Sequence, residues 1–129
     1  MFAARFFAGV SLGIGVLATV GCGGSDCGVT GLNVAPPTAT ADHAAAAPGN
    51  STTFSSSFQF KNNPGCVGIA TAALANSNWT VSDPSVHLSS SPTSQVTATC
   101  TAAVTNPVTI TATPATGQMF TGRATLTCN

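Results

Sequence analysis

Two histidines, three aspartates and five cysteines hold nearly all the chemistry this 129-residue chain can offer. His43 follows Asp42 directly and His87 lies four residues after Asp83, so a Ser-His-Asp set is arithmetically possible. Neighbours on an extended chain point to opposite sides, however, which leaves Asp42 badly placed to orient His43 as a triad requires. Asp83 and His87 straddle Pro84 at a turn, which suits a surface loop. Serine is so abundant that its presence adds nothing. Zinc needs three or four His or Cys ligands at close spacing, and the cysteines are spread along the chain. Calcium needs clustered carboxylates, and three scattered Asp with no Glu do not supply them. Trp79 is the only Trp and Tyr is absent, so an aromatic platform for sugar has one candidate, better used in a core. The residues therefore argue against an enzyme and against a bound cofactor or metal.

Charge narrows the partners. Only 5% of residues are Asp, Glu, Lys or Arg, and the formal net charge is zero. Beyond Arg5 the basic side chains are Lys61 and Arg123, too few to neutralise the phosphates of a nucleic acid. Met1 to Val20 reads as an export signal: Arg5 is the basic lead, and Phe6 to Val20 is an uncharged apolar run. That run is shorter than the ~20 residues a membrane-spanning helix needs. It ends Leu17-Ala18-Thr19-Val20-Gly21-Cys22, where small residues before a Cys resemble the lipobox of bacterial lipoproteins. The resemblance implies cleavage after Gly21 and a lipid on Cys22, although Thr19 stands where that box prefers Leu. An odd cysteine count agrees, because lipidation of Cys22 leaves Cys27, Cys66, Cys100 and Cys128 to pair. Ordinary secretion with Cys22 as a spare thiol is the alternative. The chain then divides into a signal peptide over 1–21, a lipidated tether over 22–28 and one domain over 29–129.

The domain reads as short strands. Asn78 to Asp83-Pro84 sets Trp79 and Val81 on one face and Thr80 and Ser82 on the other. Before it, Val29 to Val34 is a first strand stopped by Pro36-Pro37. Ala39 to Ala47 is Ala-rich but lacks an amphipathic face and meets Pro48-Gly49 at once, which leaves an edge strand or a loop. Thr52 to Phe60 aligns Phe54, Phe58 and Phe60 for a core. Val67 to Leu74 fits a short helix or a strand equally well. After Trp79, Val86 and Leu88 make a short strand. Val96, Ala98 and Cys100 alternate with Thr97 and Thr99. Val108, Ile110 and Ala112 alternate with Thr109, Thr111 and Thr113. Phe120, Gly122, Ala124, Leu126 and Cys128 face inward in the last run. Threonine, β-branched yet polar, suits the open face of such strands. Seven short strands between turn signals predict an all-β sandwich with Trp79, Phe54, Phe58, Phe60, Ile110 and Leu126 in its core.

Residues 29–128 resemble a bacterial immunoglobulin-like domain of the group 2 type. The resemblance is carried by Asn78-Trp79-Thr80-Val81-Ser82-Asp83-Pro84-Ser85-Val86, by Val108-Thr109-Ile110-Thr111-Ala112-Thr113 and by Arg123-Ala124-Thr125-Leu126-Thr127. Val34-Ala35-Pro36 and Gly49-Asn50-Ser51-Thr52-Thr53-Phe54 fit its first two strands. The chain departs from that family at the Ala-rich insert, in the Cys66–Asn78 connection, in its cysteines, and at Asn106-Pro107, where a Gly is usual. The resemblance implies a Greek-key sandwich of about seven strands, used as a spacer, adhesive or accessory module.

In a sandwich of that type successive strands run up and down, so alternate strand ends share a pole. Cys27 before the first strand and Cys66 after the second then fall at one pole, and Cys100 and Cys128 at the other. The implied pairs are Cys27–Cys66 and Cys100–Cys128, since a cross-pair would span a strand length of roughly 20 Å. The function expected is a lipid-anchored envelope module with a structural or adhesive role, its partners the membrane through Cys22 and an envelope protein or surface. The alternative is a small secreted ligand-binding or inhibitor domain acting through the Cys66–Asn78 loop.

Overall fold

Strict alternation of small apolar residues with Ser and Thr makes each segment extended and gives it one face to bury. The computed structural model describes residues 28–61 and 73–129. These form eight strands: β1 (Val29–Ala35), β2 (Thr38–Ala41), β3 (Ser51–Phe60), β4 (Ser77–Val81), β5 (Val86–Leu88), β6 (Gln95–Cys100), β7 (Val108–Pro114) and β8 (Gly122–Cys128). The protein is all-β, and two four-stranded sheets stack as a sandwich, with orders β1-β3-β6-β5 and β2-β8-β7-β4.

The count of strands exceeds the seven expected because the N-terminal segment is two strands in two sheets. β1 pairs antiparallel with β3, whereas β2 pairs parallel with β8, Thr38 opposite Thr125 and Ala41 opposite Cys128. Pro36 and Pro37 lie between them. Lacking an N–H, neither residue continues a ladder, so the chain leaves one sheet and joins the other there. The Ala-rich segment resolves both ways: its first residues belong to β2, and Asp42 to Asn50 is a run of turns, with Asp42 N–H on the Gly49 carbonyl and Gly49 N–H on Ala46.

The core lies between the sheets. Phe54, Ile110, Leu126, Ala98 and Ala112 have no exposed surface, and Trp79 is 5% exposed. β7 alternates without a break, with Val108, Ile110, Ala112 and Pro114 buried and the three threonines between them half-buried. β8 approaches β1 so closely at Gly122 that a Cβ there would stand 2.7 Å from Val34 Cγ2. Only glycine fits that contact without a shift.

Phe58 and Phe60 differ from expectation. Phe58 is half-buried against the core, and Phe60 is half-buried outside it. β3 is ten residues long and outruns β6, whose first residue Gln95 pairs with Ser55. Beyond that point β3 has a short bridge at Ser57–Leu74 and the beginning of β1, where Val29 pairs with Phe60. A good alternation therefore runs off the end of the sandwich. Phe120 precedes β8 and packs half-buried against the core. Of the Val67 to Leu74 segment, only residues 73 and 74 are described.

Candidate functional site

The two ends of the sandwich differ in what closes them. One end, called distal here, gathers the end of β2, the start of β3, the end of β6 and the end of β8. Its seal is covalent. Cys100 and Cys128 are the last residues of β6 and β8, in different sheets, and their sulfurs are bonded with a Cα–Cα distance of 5.7 Å. Both are 1% exposed. Backbone bonds tie the nearby loops to the same place: Val104 N–H donates to the Cys128 carbonyl, Cys100 N–H to Asn50 and Asn129 N–H to Ala41.

The other end is where β1 begins and β3 ends, with Lys61 N–H donating to the Gly28 carbonyl at 3.0 Å. Inside it the sheets meet through two hydroxyls. Ser56 of β3 and Ser77 of β4 have no exposed surface, and their Oγ atoms lie 3.0 Å apart across the sandwich. Both also reach the Ala75 carbonyl, at 2.7 Å from Ser56 and 3.1 Å from Ser77. Two hydroxyl protons can fill two of these three contacts at a time, and each hydroxyl keeps a partner either way. Trp79 extends this arrangement. Its indole N–H donates to the Thr93 carbonyl at 2.8 Å and its backbone N–H to Ser91 Oγ at 3.0 Å. The 91–94 segment thereby covers the free edge of β4, where Ser77 and Thr93 exchange backbone bonds. Trp79 serves as a hydrogen-bonded core residue here, its ring closed off from solvent rather than offered as a platform.

Asp42 and Asp83 are each engaged within their own turn, and His43 reaches the end of the chain. Asp42 Oδ1 accepts from Ala44 N–H at 2.9 Å, and His43 turns its Nδ1 to the Asn129 carbonyl. Asp83 Oδ1 accepts from Ser85 N–H at 2.8 Å. That backbone donor, helped by the Ser85 hydroxyl and opposed by slight desolvation, holds the Asp83 carboxyl below the usual carboxylate range. Neither carboxylate faces a histidine: each caps its own turn. Among the described residues no three His, Cys, Asp or Glu side chains group as metal ligands do.

Cys22, Cys27 and Cys66 lie outside the described residues, and so do the expected signal peptide and all of the expected tether but Gly28. Alternation sets Ser56 on the face of Phe54, Phe58 and Phe60, but Ser77 stands before the Asn78 to Pro84 run, and nothing in the sequence marks it as the partner of Ser56. Two exposed apolar side chains escaped sequence reading as well, Leu74 at 55% and Met119 at 98% exposure. No protein-family model matches the chain, and no curated protein is similar to it in sequence.

Proposed function

We propose that this chain is a lipid-anchored module of a bacterial envelope, an immunoglobulin-like sandwich held to the membrane through Cys22, with a structural or adhesive role and no catalysis. The observation that carries the reading is the cystine between Cys100 and Cys128. A buried bond of that kind belongs to exported domains rather than to the reducing cytosol. It removes two of the five cysteines from consideration, and the apolar run ending at Gly21-Cys22 supplies an export route.

Strand order supports the immunoglobulin-like part. In the constant-type fold strands A, B, E and D share one sheet and C, F and G the other. Here β1-β3-β6-β5 takes the first order and β4-β7-β8 the second, with β2 added beside β8. Against catalysis stand Asp42 and Asp83, each spent on a turn. Fold likeness by itself assigns no partner.

Intact mass of the chain recovered from the membrane fraction tests the anchor. Cleavage before Cys22 with added acyl mass is expected, and Cys22→Ala should release the protein to the soluble fraction. Several acyl chains hold stably where one would not. An unmodified chain that is freely soluble would end this reading.

A further inference from the structure

We propose that the end of the sandwich from which the tether leaves is itself a membrane-contact surface, which rests on the anchored reading above. Three independent features of that end point to anionic lipid. The first is reach. Five residues lie between Cys22 and Gly28, so the sandwich begins no more than roughly 20 Å from the anchored residue even with the chain fully extended. The end bearing Gly28 and Lys61 is thus the end that the anchor holds nearest the bilayer.

The second is apolar exposure. The large hydrophobic side chains most exposed among the described residues are Leu74 and Met119, and both sit at this end. Leu74 bridges to Ser57 in the part of β3 that outruns β6, and Met119 rides the turn between β7 and β8. That turn begins at the Ala115 N–H bond to the Asn76 carbonyl and passes through Gly117, whose φ of 76° few other residues adopt. Isolated apolar side chains on a surface need no special account. Two of them at the end where β1 begins, with none elsewhere among the described residues, suit shallow burial at a headgroup boundary.

The third is charge. Four charged Asp, Lys or Arg residues are described, and they divide by sign along the long axis. Lys61 follows the end of β3, and Arg123 is the second residue of β8, at the tether end. Asp42 follows β2 and Asp83 lies in the turn before Val86, which pairs with Cys100 at the distal end. Asp26, the third acid, belongs to the tether and lies outside the described residues. A domain so polarised is turned by an anionic surface with its basic end inward. Each basic residue held near such a surface strengthens the contact about fivefold. The bilayer is therefore the occupant, and the distal loops face outward.

Met119 reports on this directly, being the only methionine beyond Met1. The chain recovered from membranes is placed in vesicles of phosphatidylcholine with and without phosphatidylglycerol, and hydrogen peroxide oxidation is followed by mass. Ala46→Met adds a control methionine at the distal end, where Ala46 is exposed. On anionic vesicles Met119 should oxidise about fivefold or more slowly than the control, as loss of either cation should relax the contact about fivefold. Lys61→Gln combined with Arg123→Gln should bring the two rates together without releasing the protein. Equal rates on anionic vesicles for a chain of acylated mass would overturn the contact and leave the anchor standing. A soluble chain of unmodified mass would overturn the anchor, and the contact with it.

Discussion

The two ends of this sandwich solve one problem by different chemistry. Both must hold two sheets together where the core thins out. The distal end uses a covalent bond between the last residues of β6 and β8. The tether end uses two buried hydroxyls, one carbonyl and an indole N–H. A cystine restricts the unfolded chain whatever surrounds it. A buried hydrogen-bond group contributes only while each member is satisfied, and leaves a costly orphan when one is removed. The distal end should therefore tolerate nearby substitutions, and the tether end should not.

The largest effect is expected from Trp79→Ala. Trp79 fills core space and closes the β4 edge through Thr93, and truncating a buried Trp costs ~3–5 kcal/mol. Set against a total of ~5–15 kcal/mol for most domains, that is a severe loss. Urea melts give the number. An unchanged midpoint would mean the indole joins nothing.

Removing the cystine with Cys100→Ala and Cys128→Ala comes next. With a sequence separation of 28 between the cysteines, the chain-entropy relation gives a loss of ~3–4 kcal/mol. Hydrogen exchange sharpens the contrast: the Val104 and Asn129 amides at the distal end should exchange faster, and the Ser77 and Thr93 amides should respond only through the global loss.

Ser56→Ala should cost about 1–3 kcal/mol, the penalty of leaving buried partners short. A cycle with Ser77→Ala should show coupling of at least ~0.5 kcal/mol, because the two share the Ala75 carbonyl. A cycle between Ser56→Ala and the cystine removal should show coupling within ~0.5 kcal/mol of zero, since the sites lie far apart. Strong coupling there would break the picture of two independent ends.

The smallest effect concerns Asp83. Its carboxyl is held below the ordinary range by Ser85, so the charged form is favoured in the folded state. The contribution is present above the unfolded carboxylate pKa and disappears as pH falls through the lower folded value. Melting temperature against pH for the natural chain and Asp83→Asn should differ by a small constant amount near neutrality, and the difference should shrink below about pH 4. A difference that grows on acidification would contradict the turn geometry.

Much of this was legible in the chain. The alternation around Trp79, Phe54, Ile110 and Leu126 placed strands that the structure also has, because a half-buried strand needs a period of two and few other structures produce it. The Cys100–Cys128 pairing followed from the up-and-down strand order that the immunoglobulin-like resemblance implied, in which strands that run the same way end at the same pole, and that bond is present. The expected lipid on Cys22 and the expected Cys27–Cys66 pairing concern residues outside those described.

Tertiary structure decided what periodicity does not encode. Alternation says that a residue faces inward, not how far the neighbouring strands extend, so Phe58 and Phe60 lost part of their cover when β3 outran β6. It could not say that Pro36-Pro37 hands the chain to the opposite sheet and a parallel partner. It set Ser56 on the face of Phe54 but could not name Ser77 as its partner, because a hydroxyl becomes a clamp only when another strand brings its partner within 3.0 Å. Nor could it gather Lys61, Leu74, Met119 and Arg123, spread over 63 residues of sequence, at one end. Sequence fixes the faces of strands through local sterics, and only the stacking of sheets decides what those faces meet.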